Sequence, residues 1–304
     1  MPGHDGPEVG DTLPSGRYRI VAPIPNAQGA FGQVFEGAVM TDGVEGQKVA
    51  VKKITMSRAI QSIRSIYPNM PNPRAHLARE WRTSLLSVNH PYICRTHCVE
   101  FTNAAGTPAD LATCKFAFVI MEWAGEALID VVLERGGLEE GSAREIFWQI
   151  LIGIEELHKT GISHRDIKPE NITLLSADAD HPHGVVKIVD FGLAKTESQG
   201  ALESNVGTER YKAPEIRESY ERGHAYDSKV DVWSLGCTLY EMLTAKGSLA
   251  NRANGAPRPA CCSRFPPPCA CLMTAARWQG SSGWTRLCTS TATSLPPEPS
   301  SNAA

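Results

Sequence analysis

The chain has no uncharged apolar run of the ~18 residues needed to cross a bilayer. Its first 16 residues are polar and carry neither a basic nor an apolar segment. A membrane-spanning or secreted protein is therefore not expected, and an intracellular setting, cytoplasmic or nuclear, is. Neither sign of charge dominates: 30 Lys and Arg stand against 33 Asp and Glu, a formal net charge of −3. Such a balance draws in neither nucleic acid nor an anionic lipid surface, so partners must be argued from sites. None of the nine cysteines forms a C-x-x-C pair, the spacing that zinc sites use most. Cys94, Cys98, Cys114 and Cys237 lie singly in patterned sequence and read as small core or surface residues, while the other five crowd positions 261–288.

What is present is a globular composition, 42% apolar over 304 residues, enough for one large domain or two small ones. Tyr18 to Ile24 alternates weakly and reads as a strand. Pro25-Asn26-Ala27-Gln28-Gly29-Ala30-Phe31-Gly32-Gln33-Val34 follows, a turn whose glycines can present bare N–H groups to phosphate oxygens and whose valine opens a returning strand. Taken alone the segment is equally an ordinary hairpin turn. Val49-Ala50-Val51-Lys52 is a strand pattern in which alternation puts Ala50 and Lys52 on one face, a small residue beside an ammonium. A helical stretch from Ser57 is broken by Pro68, Pro71 and Pro73. Arg74 to Val88 then carries Leu77, Trp81, Leu85 and Val88 at helical spacing, and Phe116 to Met121 reads as a buried strand.

Ser142 followed by Glu145 has the form of a capping box, and Ala143, Ile146, Phe147, Ile150, Leu151, Ile154 and Leu157 share one apolar face that ends near Gly161. This helix delivers His164-Arg165-Asp166-Ile167-Lys168-Pro169-Glu170-Asn171, a loop that gathers a carboxylate, an ammonium and a carboxamide. The Asp178, Asp180, His181 and His183 insert reads as a solvated hairpin tip, with metal binding the rival reading. Strand Val185 to Val189 runs into Asp190-Phe191-Gly192, where a carboxylate at a strand end suits a magnesium ion. Residues 193–212 are weakly patterned and end at Ala213-Pro214-Glu215. Tyr226 to Thr244 is a helix apolar almost all round, which belongs at the centre of a domain.

In this order the glycine turn, strand lysine, His-Arg-Asp loop, Asp-Phe-Gly and Ala-Pro-Glu resemble a eukaryotic protein kinase of the serine/threonine type. The likeness covers residues 17–246. It implies an α+β, two-lobed fold: an N-lobe (17–121) of antiparallel sheet plus a helix, a hinge (122–125), and a mainly helical C-lobe (126–246). It also implies ATP and Mg2+ as cofactors and Ser/Thr-bearing proteins as substrates. In that family Asp166 would orient or accept the substrate hydroxyl proton, and Lys168 would neutralise the transferring phosphoryl group. Asn171 and Asp190 would hold magnesium. The ATP site would comprise Gly29, Gly32, Val34, Ala50, Lys52, Glu80, Met121 as gatekeeper, and Glu122 to Ala124 along the hinge. Lys168 and Gly207-Thr208 match serine/threonine rather than tyrosine kinases. Arg165 would pair with a phosphate on Ser204, and Glu170 and Glu241 lie where kinases that prefer basic residues before the target place acidic ones, surface carboxylates being the alternative reading.

Three departures accompany the likeness. Ala27 replaces the first loop glycine. The spacing that should supply a glutamate partner for Lys52 lands on Trp81, with Glu80 one residue early, ~100° round a helix of 3.6 residues per turn. Either the helix is adjusted and Glu80 pairs with Lys52, the reading adopted, or the pair is missing. Residues 247–304 hold eight of the 21 prolines, five arginines, no lysine and no aspartate. They read as a low-complexity, disordered tail after a truncated C-lobe, as if the coding sequence left its frame near Ala245 to Leu249. Residues 1–16 are likewise expected to be disordered. An active kinase is the expectation; an inactive fragment or pseudokinase that acts by binding is the alternative.

Overall fold

The computed structural model describes residues 6–29, 32–66, 70–85, 89–191, 194–196, 207–216 and 226–246. At positions 26, 28, 29, 66, 79, 80, 82–85, 195 and 196 it describes the backbone alone. The low-complexity expectation for 247–304 lies outside the described residues.

The first half of the chain builds a five-stranded antiparallel sheet from β1 (Tyr18–Gly29), β2 (Gly32–Thr41), β3 (Val44–Thr55), β4 (Thr96–Thr102) and β5 (Phe116–Glu122), in the order β1-β2-β3-β5-β4. Helices α1 (Met56–Ile66) and α2 (Pro73–Leu85) are inserted between β3 and β4. The period of two along a strand explains how this layer is held. Phe116, Phe118 and Ile120 join Tyr18, Ile20, Phe35, Val49 and Val51 on one face. Ala117 and Val119 turn the other way, to Ile54, Met56, Ile63, Leu77 and Trp81 under the two helices. With both faces covered, β5 is a continuous apolar run, as its sequence suggested. Each large side chain so buried contributes roughly 1.5–3 kcal/mol.

Residues 6–16 correct the expectation of disorder. Leu13 is 1% exposed within the first of those clusters. Its N–H donates to the Tyr18 carbonyl and the Ile20 N–H donates to that of Asp11. Ser15 is tied to the Glu100 carboxylate through its N–H and its hydroxyl. Val9 and Leu13 alone among Gly, Pro and polar residues give no periodicity to read, and Val9 is exposed, but one buried leucine is enough to seat a short strap.

The second half is mainly helical. β6 (Glu126–Ala127), α3 (Leu128–Arg135), α4 (Glu140–Lys159), β7 (Ile162–Ser163), β8 (Ile172–Leu175), β9 (Val185–Ile188), β10 (Lys195–Thr196) and α5 (Lys229–Thr244) follow in order. The strands form a β6-β8-β9 sheet and a β7-β10 pair. The expected capping box is not used: α4 begins at Glu140 with Glu139 as N-cap, so Ser142 sits inside the first turn and its hydroxyl meets His183 Nδ1 at 3.2 Å. At the other end Gly161 has φ +72°, the left-handed geometry that lets the chain leave the helix. The Asp178 insert is a hairpin tip in which one carboxylate oxygen accepts the N–H groups of Asp180 and His181. Among the described residues no helix is long and apolar enough to cross a membrane.

Because Leu13 is enclosed, Leu13→Ala is expected to destabilise the fold by about 2–4 kcal/mol, read as a lower urea midpoint. An unchanged midpoint would place the strap outside the core.

Candidate active site

A cleft of about 1600 Å³ runs between the sheet and the helical half, lined by Val34, Ala50, Lys52, Met121, Glu122, Ala124, Asp166, Lys168, Asn171 and Asp190. The strand pairings that bring the first of these together are Val34 with Lys52, Lys52 with Val119, and Ala50 with Met121. Alternation in β3 therefore does what the sequence implied: Ala50 and Lys52 share the cleft face while Val49 and Val51 enter the core. Gly29 pairs with Gly32 at the β1–β2 turn. A Cβ on Gly32 would come within 1.8 Å of the Lys53 carbonyl, so close backbone approach alone requires glycine there. The Lys52 ammonium lies 2.7 Å from Asp190 Oδ1. The Glu80 side chain and Ser204 lie outside the described residues.

At the end of β5 the chain turns toward the helical half through Glu122, which is more committed than its expected role suggested. Its N–H donates to the Arg95 carbonyl, and its carboxylate accepts the Arg95 N–H at 2.7 Å and both contacts of the Lys187 ammonium at 3.0 Å. Nearby Cys94 is buried, and that burial pushes its thiol up to about 12, leaving it unreactive at neutral pH.

The loop after β7 is built around Asp166. Its Oδ2 accepts the Lys168 ammonium at 2.8 Å and the Asn171 amide at 2.9 Å. Its Oδ1 accepts the Thr208 N–H at 2.9 Å and the Thr208 hydroxyl at 2.7 Å. Burial by itself would raise this carboxyl, but the Lys168 charge and the donated hydrogen bonds win and hold it below the ordinary carboxylate range. Lys168 also reaches Thr208 Oγ1 at 2.6 Å, so the loop and the segment before Ala-Pro-Glu form one polar network. His164 Nε2 faces the Val189 carbonyl at 3.1 Å and Nδ1 accepts the Asp166 N–H at 3.3 Å, which specifies the Nε2–H tautomer. Phe191, the neighbour of Asp190, packs on the His164 ring at 5.3 Å.

A protein kinase domain model matches residues 27–259 of the chain. The chain belongs to the protein kinase domain family. Similar proteins include the serine/threonine-protein kinase RAD53 of Saccharomyces cerevisiae, 35% identical over 71% of this chain and 24% of that protein. The serine/threonine-protein kinase cds1 of Schizosaccharomyces pombe is 44% identical over 42% of this chain and 28% of that protein. The SNF1-related protein kinase catalytic subunit alpha KIN12 of Arabidopsis thaliana is 39% identical over 51% and 27% respectively. This kinase chain spans about a quarter of the length of the curated relatives it matches.

The kinase loop depends on a residue that sequence reading passed over. Asp231 in α5 is fully buried, and its Oδ2 accepts the His164 N–H at 2.8 Å while Oδ1 accepts the Arg165 N–H at 2.7 Å. His158 Nε2 lies 2.8 Å from the same carboxylate. Arg165 is held at φ +66°, a left-handed conformation that costs a non-glycine residue on the order of 1–3 kcal/mol and so needs such a clamp. The available signal was a charged residue inside an otherwise apolar helix. Thr208 entered the sequence reading only as a mark of the serine/threonine type, and Tyr211 was missed, since a hydroxyl in a polar segment is unremarkable until its partner is known.

Burial opposes the ionised form of Asp231, yet His158 and the donated N–H groups hold its carboxyl below the usual range, as at Asp166. The sign follows from linkage. Both folded-state values lie below the unfolded value of about 3.9, so the associated stability is full above that pH and is lost as pH falls through the folded values. Carboxyl 13C titration is expected to give both aspartates midpoints below that of a model peptide. A normal midpoint at Asp231 would contradict the clamp.

Proposed function

We propose that this chain is an ATP- and magnesium-dependent protein serine/threonine kinase. The observation that carries the reading is Asp166, held by four donated hydrogen bonds in a cleft that Lys52, Asn171 and Asp190 also line. Family members use ATP and a divalent metal. The donor types here, the carboxylate of Asp190 and the amide oxygen of Asn171, belong to residues that line one cleft and suit a hard cation such as Mg2+. Bound there, the metal would supply charge neutralisation at the phosphate oxygens. Lys52 would grip the inner phosphates, moving from Asp190 to them. Val34, Ala50 and Met121 would enclose the base, and Ala124 offers hinge backbone beyond the engaged Glu122 N–H.

In the reaction, the hydroxyl oxygen of a serine or threonine substrate forms a bond to the γ-phosphorus as the bond to the β–γ bridging oxygen breaks, and ADP leaves. Asp166 orients the hydroxyl and receives its proton, while Lys168 balances charge on the moving phosphoryl group. Because Thr208 donates to Oδ1 through its N–H as well as its hydroxyl, the incoming hydroxyl can displace the latter and leave the carboxylate positioned. Arg165 and Ser204 retain the regulatory roles that the family likeness implies. The catalytic unit is read as 17–246, with the proline-rich 247–304 segment outside it.

Asp166→Asn is expected to lower the rate of peptide phosphorylation by about 10³-fold or more while leaving the thermal shift given by Mg-ATP intact. Lys52→Met is expected to weaken that shift. Transfer undiminished in Asp166→Asn, measured with radiolabelled ATP, would overturn the assignment.

A further inference from the structure

On the rim of the cleft, four residues past Asp166, a second constellation is unused by the phosphoryl chemistry. Glu170 lines the cleft and is one-third exposed, whereas Glu241 on α5 is 3% exposed. The Arg210 guanidinium bridges them, at 3.3 Å from Glu170 Oε1 and 3.9 Å from Glu241 Oε1. Tyr211, 2% exposed, sends its hydroxyl to the Glu241 carboxylate and stands 3.4 Å from Glu170 Oε2. Arg210 also lies over the Tyr211 ring at 5.5 Å. The one-turn segment Glu209–Tyr211 that carries both is fastened to α5, where the Ser234 hydroxyl donates to the Tyr211 carbonyl.

Two carboxylates beside a catalytic base make a seat for a cation, because a guanidinium can meet them through several donors at once. In this chain both Glu170 oxygens have a partner from the protein itself. The half-exposed Arg210–Glu170 pair contributes little to stability by itself. Its consequence lies in the charge state of the rim: the negative potential that would select a positively charged substrate is answered from within, and a basic residue entering would have to displace Arg210.

We propose that Arg210 is a specificity-determining residue that occupies the Glu170–Glu241 seat in cis, so that the enzyme does not require a basic residue beside the target serine or threonine. The proposal rests on the kinase reading above. Removing the guanidinium leaves the buried Glu241 with Tyr211 as its remaining named partner and opens Glu170, and a substrate arginine then supplies the missing cation.

The test uses the full chain and a set of polyalanine-based serine peptides in which one arginine is walked through the positions flanking the serine. In the wild type the arginine is expected to change kcat/KM by less than about threefold at every position. In Arg210→Ala at least one position is expected to gain about tenfold over the arginine-free peptide, the scale of one charge-assisted contact. The gain is expected to vanish in Arg210→Ala/Glu170→Gln. Arg210→Gln, which keeps the length of the side chain, serves in the same way should the alanine variant fail to fold. Anisotropy binding of the same peptides with alanine in place of serine reads the seat without phosphoryl transfer, so failure of the kinase reading leaves this arm intact. A wild type that already prefers one arginine position tenfold, or a variant with no gain in rate or binding, overturns the proposal.

Discussion

The buried carboxylate of Asp231 is the contact on which the site depends. A fully desolvated charge on the central helix is costly unless its oxygens are met. The donors that meet it are the backbone N–H groups of His164 and Arg165 and the ring of His158. The helix thereby dictates the path of the catalytic loop, including the left-handed backbone at Arg165. Gly207 fits against the same turn: its φ is +101°, and a Cβ there would come within 2.7 Å of the Arg165 carbonyl. A steric limit thus complements the electrostatic clamp, and together they bring the segment bearing Thr208 against Asp166.

Above that anchor the charges of the cleft are arranged in opposed pairs. Lys52 faces Asp190, Lys168 faces Asp166, and Lys187 faces Glu122. Two of these carboxylates belong to the helical half or its strand ends, and the ammonium on β3 belongs to the sheet, so the Lys52–Asp190 contact spans the cleft itself. A polyphosphate with a divalent cation carries the same two signs and can exchange with such pairs without leaving a buried charge uncompensated. The hinge pair differs in kind. Glu122 joins the end of β5 to the residue before β4 and to β9, which makes it a brace.

In the proposal for the rim constellation, the same physics sets selectivity. Glu241 is buried on α5, and among the described residues Arg210 brings a cation to it. On the proposed reading, substrate preference would follow from a requirement internal to the fold, a seat filled to stabilise a buried carboxylate.

The sequence by itself determined the elements and the chemistry. Period-two alternation in β3 and β5, the apolar face of α4, and the spacing within His164 to Asn171 are local properties, set by strand and helix geometry over a few residues. They set the elements, and the order of the motifs carried the resemblance to protein kinases, which implied the α+β fold and the candidates Asp166, Lys168, Asn171, Asp190 and Lys52 that line one cleft. The tertiary structure alone decided what holds them. Leu13 seats the N-terminal strap, Ser142 serves His183 instead of a helix cap, and Asp231 clamps the loop across separations of 66 and 67 residues. Such contacts are invisible in a chain read locally, because a buried aspartate and an exposed one are the same letter until the fold decides which donors surround it.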